Sequence, residues 1–98
     1  MKYLSSVLFA SALLVPGLAM ADNNGSYDQC LMQSLKGNRN SMSSSVIADA
    51  CGKVYKNGAM LLPRERNYYI CLIQNLPGVE NDYAVQQIST ACRRQNPM

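Results

Sequence analysis

Apolar positions along this chain recur at helical spacing throughout. Tyr27, Cys30, Leu31 and Leu35 fall on one face of a predicted first helix. Val46, Ile47, Ala50, Cys51, Val54 and Tyr55 follow i, i+1, i+4, i+5, i+8, i+9, a single buried stripe. A third stripe runs through Tyr68, Cys71 and Leu72 to Asn75, and a fourth carries Ala84, Ile88, Ala91 and Cys92. No segment alternates with the period of two that marks a half-buried strand. The fold class is all-α.

Between the stripes stand residues that stop or start helices. Ser26, three residues before Gln29, has capping-box spacing and predicts the first start, after a polar, frayed lead from Asp22 to Gly25. Gly37 predicts the first stop, because glycine enters a left-handed cap without penalty. Asn40, Ser41 or Ser43 is placed to cap the second helix, and Asn57-Gly58 to end it. Pro63 suits a first helical position. Pro77 pushes Leu76 away from helical geometry, and Pro77-Gly78 fits the centre of a type II turn. Asn81 or Asp82 caps the fourth helix, leaving Arg93 and Arg94 in its last turn, where cations favour the dipole. The apolar connector Ala59-Met60-Leu61-Leu62 is expected to pack over the core.

The four stripes are one pattern written twice. Cys30 through Cys51 lies over Cys71 through Cys92 at a constant offset of 41 residues, with nine identities in 22. Tyr27 and Tyr68 match upstream. The repeat predicts two tandem αα-hairpins, repeat one over 26–57 and repeat two over 63–96, forming one small four-helix domain. Four cysteines allow three pairings. Cys30 lies seven residues before Gly37, roughly 10 Å along a helix, and Cys51 roughly 12–15 Å beyond the next helix start. Heights agreeing within a turn favour Cys30–Cys51 and Cys71–Cys92. The rival set, Cys30–Cys71 with Cys51–Cys92, would interlock the repeats, and sequence leaves it open.

The first 21 residues have the form of a secretory signal. Lys2 is the basic start, Tyr3 to Val15 is uncharged and largely apolar, and Ala19-Met20-Ala21 presents small residues for cleavage after Ala21. The run is too short for a membrane anchor, which needs about 20 apolar residues. Export to the periplasm or beyond is the expectation. Cleavage removes 21 of 98 residues and leaves a 77-residue domain, 22–98. A core that thin usually needs staples, which fits structural disulfides at Cys30, Cys51, Cys71 and Cys92. Of nine basic side chains Lys2 leaves with the signal, so eight remain against six acidic ones, net +2. That charge is too mild and dispersed for a nucleic-acid surface.

Chemistry is sparse. The chain has no histidine and no tryptophan, so no Ser-His-Asp or Cys-His site is possible within it. Spacing of C-x20-C lacks the short ligand pairs of a zinc site, and no Cys-x-x-Cys redox pair exists. Asp28 and Asp49 stand near the cysteine ends of one hairpin, but Tyr69 and Thr90 replace them in the other. No catalytic, metal or cofactor site is expected, and the chain reads as a non-enzyme. Three features invite contact instead. Tyr27, Tyr68 and Tyr69 can form an aromatic surface or pack on the disulfides. Gln33 and Gln74 can meet a partner backbone or satisfy a buried turn. Met32, Met42, Met60, Leu61 and Leu62 can line an adaptable groove or fill core gaps.

The unit Cys-Leu-x-x-x-Leu-x-Gly followed by Ile-x-x-Ala-Cys, with Tyr27, Leu62-Pro63 and Pro77-Gly78, resembles a family of small exported bacterial four-cysteine proteins of uncharacterised function. The first repeat departs from the pattern at Ser43-Ser44-Ser45, where the second has Ala84-Val85-Gln86. The resemblance implies export and disulfides and carries no activity. Taken together, the expectation is a non-enzymatic periplasmic or secreted interaction module with a protein partner in the envelope. The alternatives are a carrier of a small apolar ligand or lipid between the hairpins, and an inhibitor or immunity-type protein.

Overall fold

Two asparagines at equivalent places start two of the helices. Asn40 Oδ1 accepts from the Ser43 amide at 2.6 Å, and Asn81 Oδ1 accepts from the Ala84 amide at 2.8 Å. Each satisfies an orphan donor of the first turn. The computed structural model describes residues 23–97, so the expected secretory signal and the expected cleavage after Ala21 lie outside the described residues. Within them the helices are α1 (Asn23–Leu35), α2 (Ser41–Tyr55), α3 (Pro63–Asn75) and α4 (Asp82–Gln95), with a short 3-10 turn at Gly58–Met60. The described residues are all-α.

The turns inside the two hairpins repeat as closely as the caps. Asn38 N donates to Leu35 O at 2.9 Å, and 41 residues on Val79 N donates to Leu76 O at 3.0 Å. Gly37 (φ 75°) and Gly78 (φ 86°) take the left-handed third position of these turns, the glycine site of a type II turn. Pro77 does not displace Leu76 from helical geometry. Leu76 keeps φ −88° and ψ −25° and donates to Leu72 O. Its side chain is fully buried, and that burial outweighs the local preference imposed by the following proline.

Two further expectations are corrected. The first helix begins at Asn23, so Ser26 lies inside it and does not cap it. The connector does not cover the core: Met60 is 84% and Leu62 57% exposed. The backbone of the connector turns through the 3-10 segment and delivers Leu62 as the residue before Pro63, where its amide donates to Glu65 Oε1 at 2.8 Å. That geometry aims Met60 and Leu62 outward, while Leu61 is half-buried.

Disulfides close each hairpin on itself. Cys30–Cys51 has a Cα–Cα distance of 5.9 Å and Cys71–Cys92 one of 5.8 Å; the interlocking pairing is not formed. Helix α2 is the centre of the fold, touching α1, α3, α4 and the 3-10 turn. Its residues Ile47, Ala50 and Cys51 join Leu72, Leu76, Val85 and Cys92 in one buried cluster. The hairpins lie side by side with both turns at the same end. Ser43 Oγ donates to Leu76 O at 3.1 Å in the interior. Asn38 Oδ1 accepts from Gly78 N at 2.9 Å, and Asn40 Nδ2 donates to Asp82 Oδ1 at 3.0 Å. The Ser43 and Asn38 bonds join the start of α2 to the end of α3, so these helices run antiparallel, and the Asn40 bond ties the start of α2 to the start of α4.

Candidate surface sites on the stapled scaffold

The tyrosines are divided between packing and partial exposure. Tyr68 is buried, meets Tyr69 edge-on with ring centroids 5.0 Å apart, and accepts a hydrogen bond from Arg93 Nη2 at 3.3 Å. The Arg93 guanidinium also lies over its ring, 5.4 Å from the centroid. Tyr27 is half-buried under the Lys56 ammonium, 4.6 Å from its ring centroid. A cation therefore covers the tyrosine in each repeat, from different positions. Such contacts hold a helix end against its neighbour, and they remove Tyr68 from any exposed aromatic surface.

Gln33 and Gln74 are both exposed, so neither satisfies a buried turn. Gln33 borders a groove between the hairpins, floored by α2 and walled by α1 and α3. Ser26, Gln29, Cys30 and Ser34 line it from one side, Tyr55 from below, and Ile73 from the other side. Ser34 is only 7% exposed. Sequence reasoning missed Ser34, Tyr55 and Ile73, because nothing in the spacing shows that α3 lies beside α1 across this groove.

The methionines and leucines do not gather. Met32 is 66% exposed and borders a shallow apolar depression with Leu31, Leu35 and the stem of Lys36. That depression is built from α1 and the residue that follows it, without Met42, Met60, Leu61 or Leu62. A second apolar depression lies on the far side of the fold, between α3 and α4, lined by Cys71, Asn75, Ile88, Ala91, Cys92 and Gln95. Asn75, Ile88 and Ala91 belong to the stripes read from the sequence, but spacing alone gave no sign that they would line an open depression.

Asp28 and Asp49 both face solvent on separate helices. Among the described residues no group of three or more His, Cys, Asp or Glu side chains is arranged to hold a metal ion. All four sulfurs are committed to disulfides and no cysteine is free. No described helix is long and apolar enough to cross a membrane.

Two helix-stapling disulfides at equal spacing are thus the defining feature of the molecule, and a family model described as four-cysteine protein VF_A0006-like matches residues 7–96. The chain belongs to this family. No curated protein and no solved structure matches it. For this member of the VF_A0006-like family, paired disulfides are consistent with an oxidising, exported location.

Proposed function

We propose that this four-cysteine protein is a non-enzymatic interaction module of the periplasm or the secreted fraction, exported by residues 1–21 and matured by cleavage after Ala21. One observation carries the reading: large apolar side chains stand on the outside of a crosslinked scaffold whose inside is already filled. Met32, Met60, Leu62 and Tyr83 are all more than half exposed. Exposed apolar surface on a small domain marks contact with a partner, and a rigid, stapled scaffold loses little conformational freedom on binding.

The carrier reading needs space between the hairpins. There Ile47, Leu72, Leu76 and Val85 are each at most 2% exposed and packed together, which favours the module. Native mass spectrometry of protein purified without detergent separates the two: a clean apo mass is expected, and a co-purifying lipid would favour the carrier. The module itself is tested by using the oxidised protein as bait in an envelope extract. A partner retained through salt washes is the expected result, and recovery of no protein at all would count against the reading. An inhibitor or immunity role is a special case in which that partner is an exported toxin.

A further inference from the structure

The interface between the hairpins is heterologous, and the equivalents of both of its halves recur at the surface, mostly half-buried against their own hairpin and open on the other side. Inside, Ile47, Ala50 and Cys51 of α2 cluster with Leu72 and Leu76 of α3, all buried, with Ile73 half-buried beside them and buried Val54 one turn further along α2, near Arg66. Moving each residue by the repeat offset gives two other surfaces. Ile47, Ala50, Cys51 and Val54 become Ile88, Ala91, Cys92 and Gln95, which line the open depression on α4. Leu72, Ile73 and Leu76 become Leu31, Met32 and Leu35, which border the open depression on α1. These two apolar depressions are thus the two halves of an interface the molecule already makes once.

We propose that the partner of these surfaces is a second copy of this chain, α1 of one copy seating on α4 of the next as α3 seats on α2. The proposal rests on the interaction-module reading and names one partner for it. Repeat architectures bury their faces by stacking neighbours in this way, and a heterologous contact of this kind propagates head to tail unless rotation closes it into a ring.

Charge and hydrogen bonding fit the same arrangement. Antiparallel seating, as between α3 and α2, brings the C-terminal end of α1, with Lys36 and Arg39, to the acidic start of α4 at Asp82. It brings Asp28, nearer the start of α1, toward Arg93 and Arg94 at the end of α4. Asn40 uses its Nδ2 to cross to the neighbouring hairpin. Its equivalent Asn81 caps α4 through Oδ1, while its Nδ2 has no partner among the described residues. In a second copy the matching acceptors are the Arg39 carbonyl and the Ser41 hydroxyl. Two internal bonds have no counterpart, because Ala84 replaces Ser43 and Val79 replaces Asn38. The contact between copies is therefore more apolar and weaker than the one within the chain.

Sedimentation velocity of the oxidised protein, recovered after export, over roughly 10 μM to 1 mM tests the proposal. The mean mass is expected to rise with concentration. Met32→Glu places a carboxylate on the α1 face, and Ala91→Glu places one on the α4 face. Each alone is expected to weaken self-association roughly a hundredfold, since the charge enters an apolar contact without a partner. An equimolar mixture of the two variants retains one intact pair of faces and is expected to give a one-to-one dimer that grows no further. Circular dichroism and the absence of free thiol report folding. Gln95→Arg, at an exposed position, replaces Ala91→Glu if that variant misfolds. A wild-type protein that remains monomeric to about 1 mM would overturn the proposal. So would variants whose mixture fails to associate, because complementation is unique to a heterologous contact. A monomeric wild type leaves the module reading to stand or fall on the pull-down alone.

Discussion

Gly52 and Gly78 show how differently one residue type acts in this molecule. Gly52 lies within α2, where an added Cβ would meet only the Tyr27 ring edge at 3.7 Å, an ordinary contact. Gly52→Ala is expected to stabilise the protein by about 0.5–1 kcal/mol through helix propensity, seen as a higher midpoint in urea unfolding. Gly78 at φ 86° has open space around it but holds a left-handed backbone. Gly78→Ala is expected to destabilise by about 1 kcal/mol in the same titration. The caps give a matched pair. Asn81→Ala loses a cap, about 1 kcal/mol, whereas Asn40→Ala also loses the bond to Asp82 and should cost measurably more. These turn and cap residues were legible because their geometry is local: glycine and asparagine suit such positions in any fold. Leu76 was misread because a long-range force, burial, decides its backbone conformation.

The disulfide pairing was legible for a reason that belongs to whole helices. Antiparallel helices joined by a short turn bring residues at equal heights together, and both bridges obey that rule. Each encloses a loop spanning 21 positions, so each constrains the unfolded chain alike. Replacing Cys30 and Cys51 together is expected to cost roughly 2–5 kcal/mol while leaving Cys71–Cys92 closed, as checked by denaturant unfolding and non-reducing peptide mapping. Replacing Cys30 alone should behave worse, because Cys51 is then free to form mixed disulfides. What the stripes did not reveal is which helix lies at the centre. Leu31 and Leu72 are identical residues at equivalent positions, yet one is half-buried and the other fully buried. Only Leu72 belongs to a helix flanked by α2 and α4. The same cause explains the exposed connector, whose apolar composition suggested cover for a core that the helices already close by themselves.

At the scale of the whole molecule, the covalent map and the packing map differ. Each disulfide ring belongs to one hairpin, so residues 52–70 lie outside both rings and are the only covalent tie between them. The exposed stretch around Met60 and Leu62 falls within that tie. Cleavage in either turn would leave the cut ends held by a disulfide, whereas a single cut beside Met60 separates the described chain into two stapled halves. Those halves would remain joined by the burial of Leu72 and Leu76 against α2 and by the Ser43 and Asn38 bonds. Limited proteolysis is therefore expected to give a nicked complex that elutes intact under native conditions and parts in denaturant without any reductant. The protein is thus, in effect, a split protein with its linker still attached: two crosslinked fragments that recognise each other, kept at high effective concentration by one accessible strand of chain.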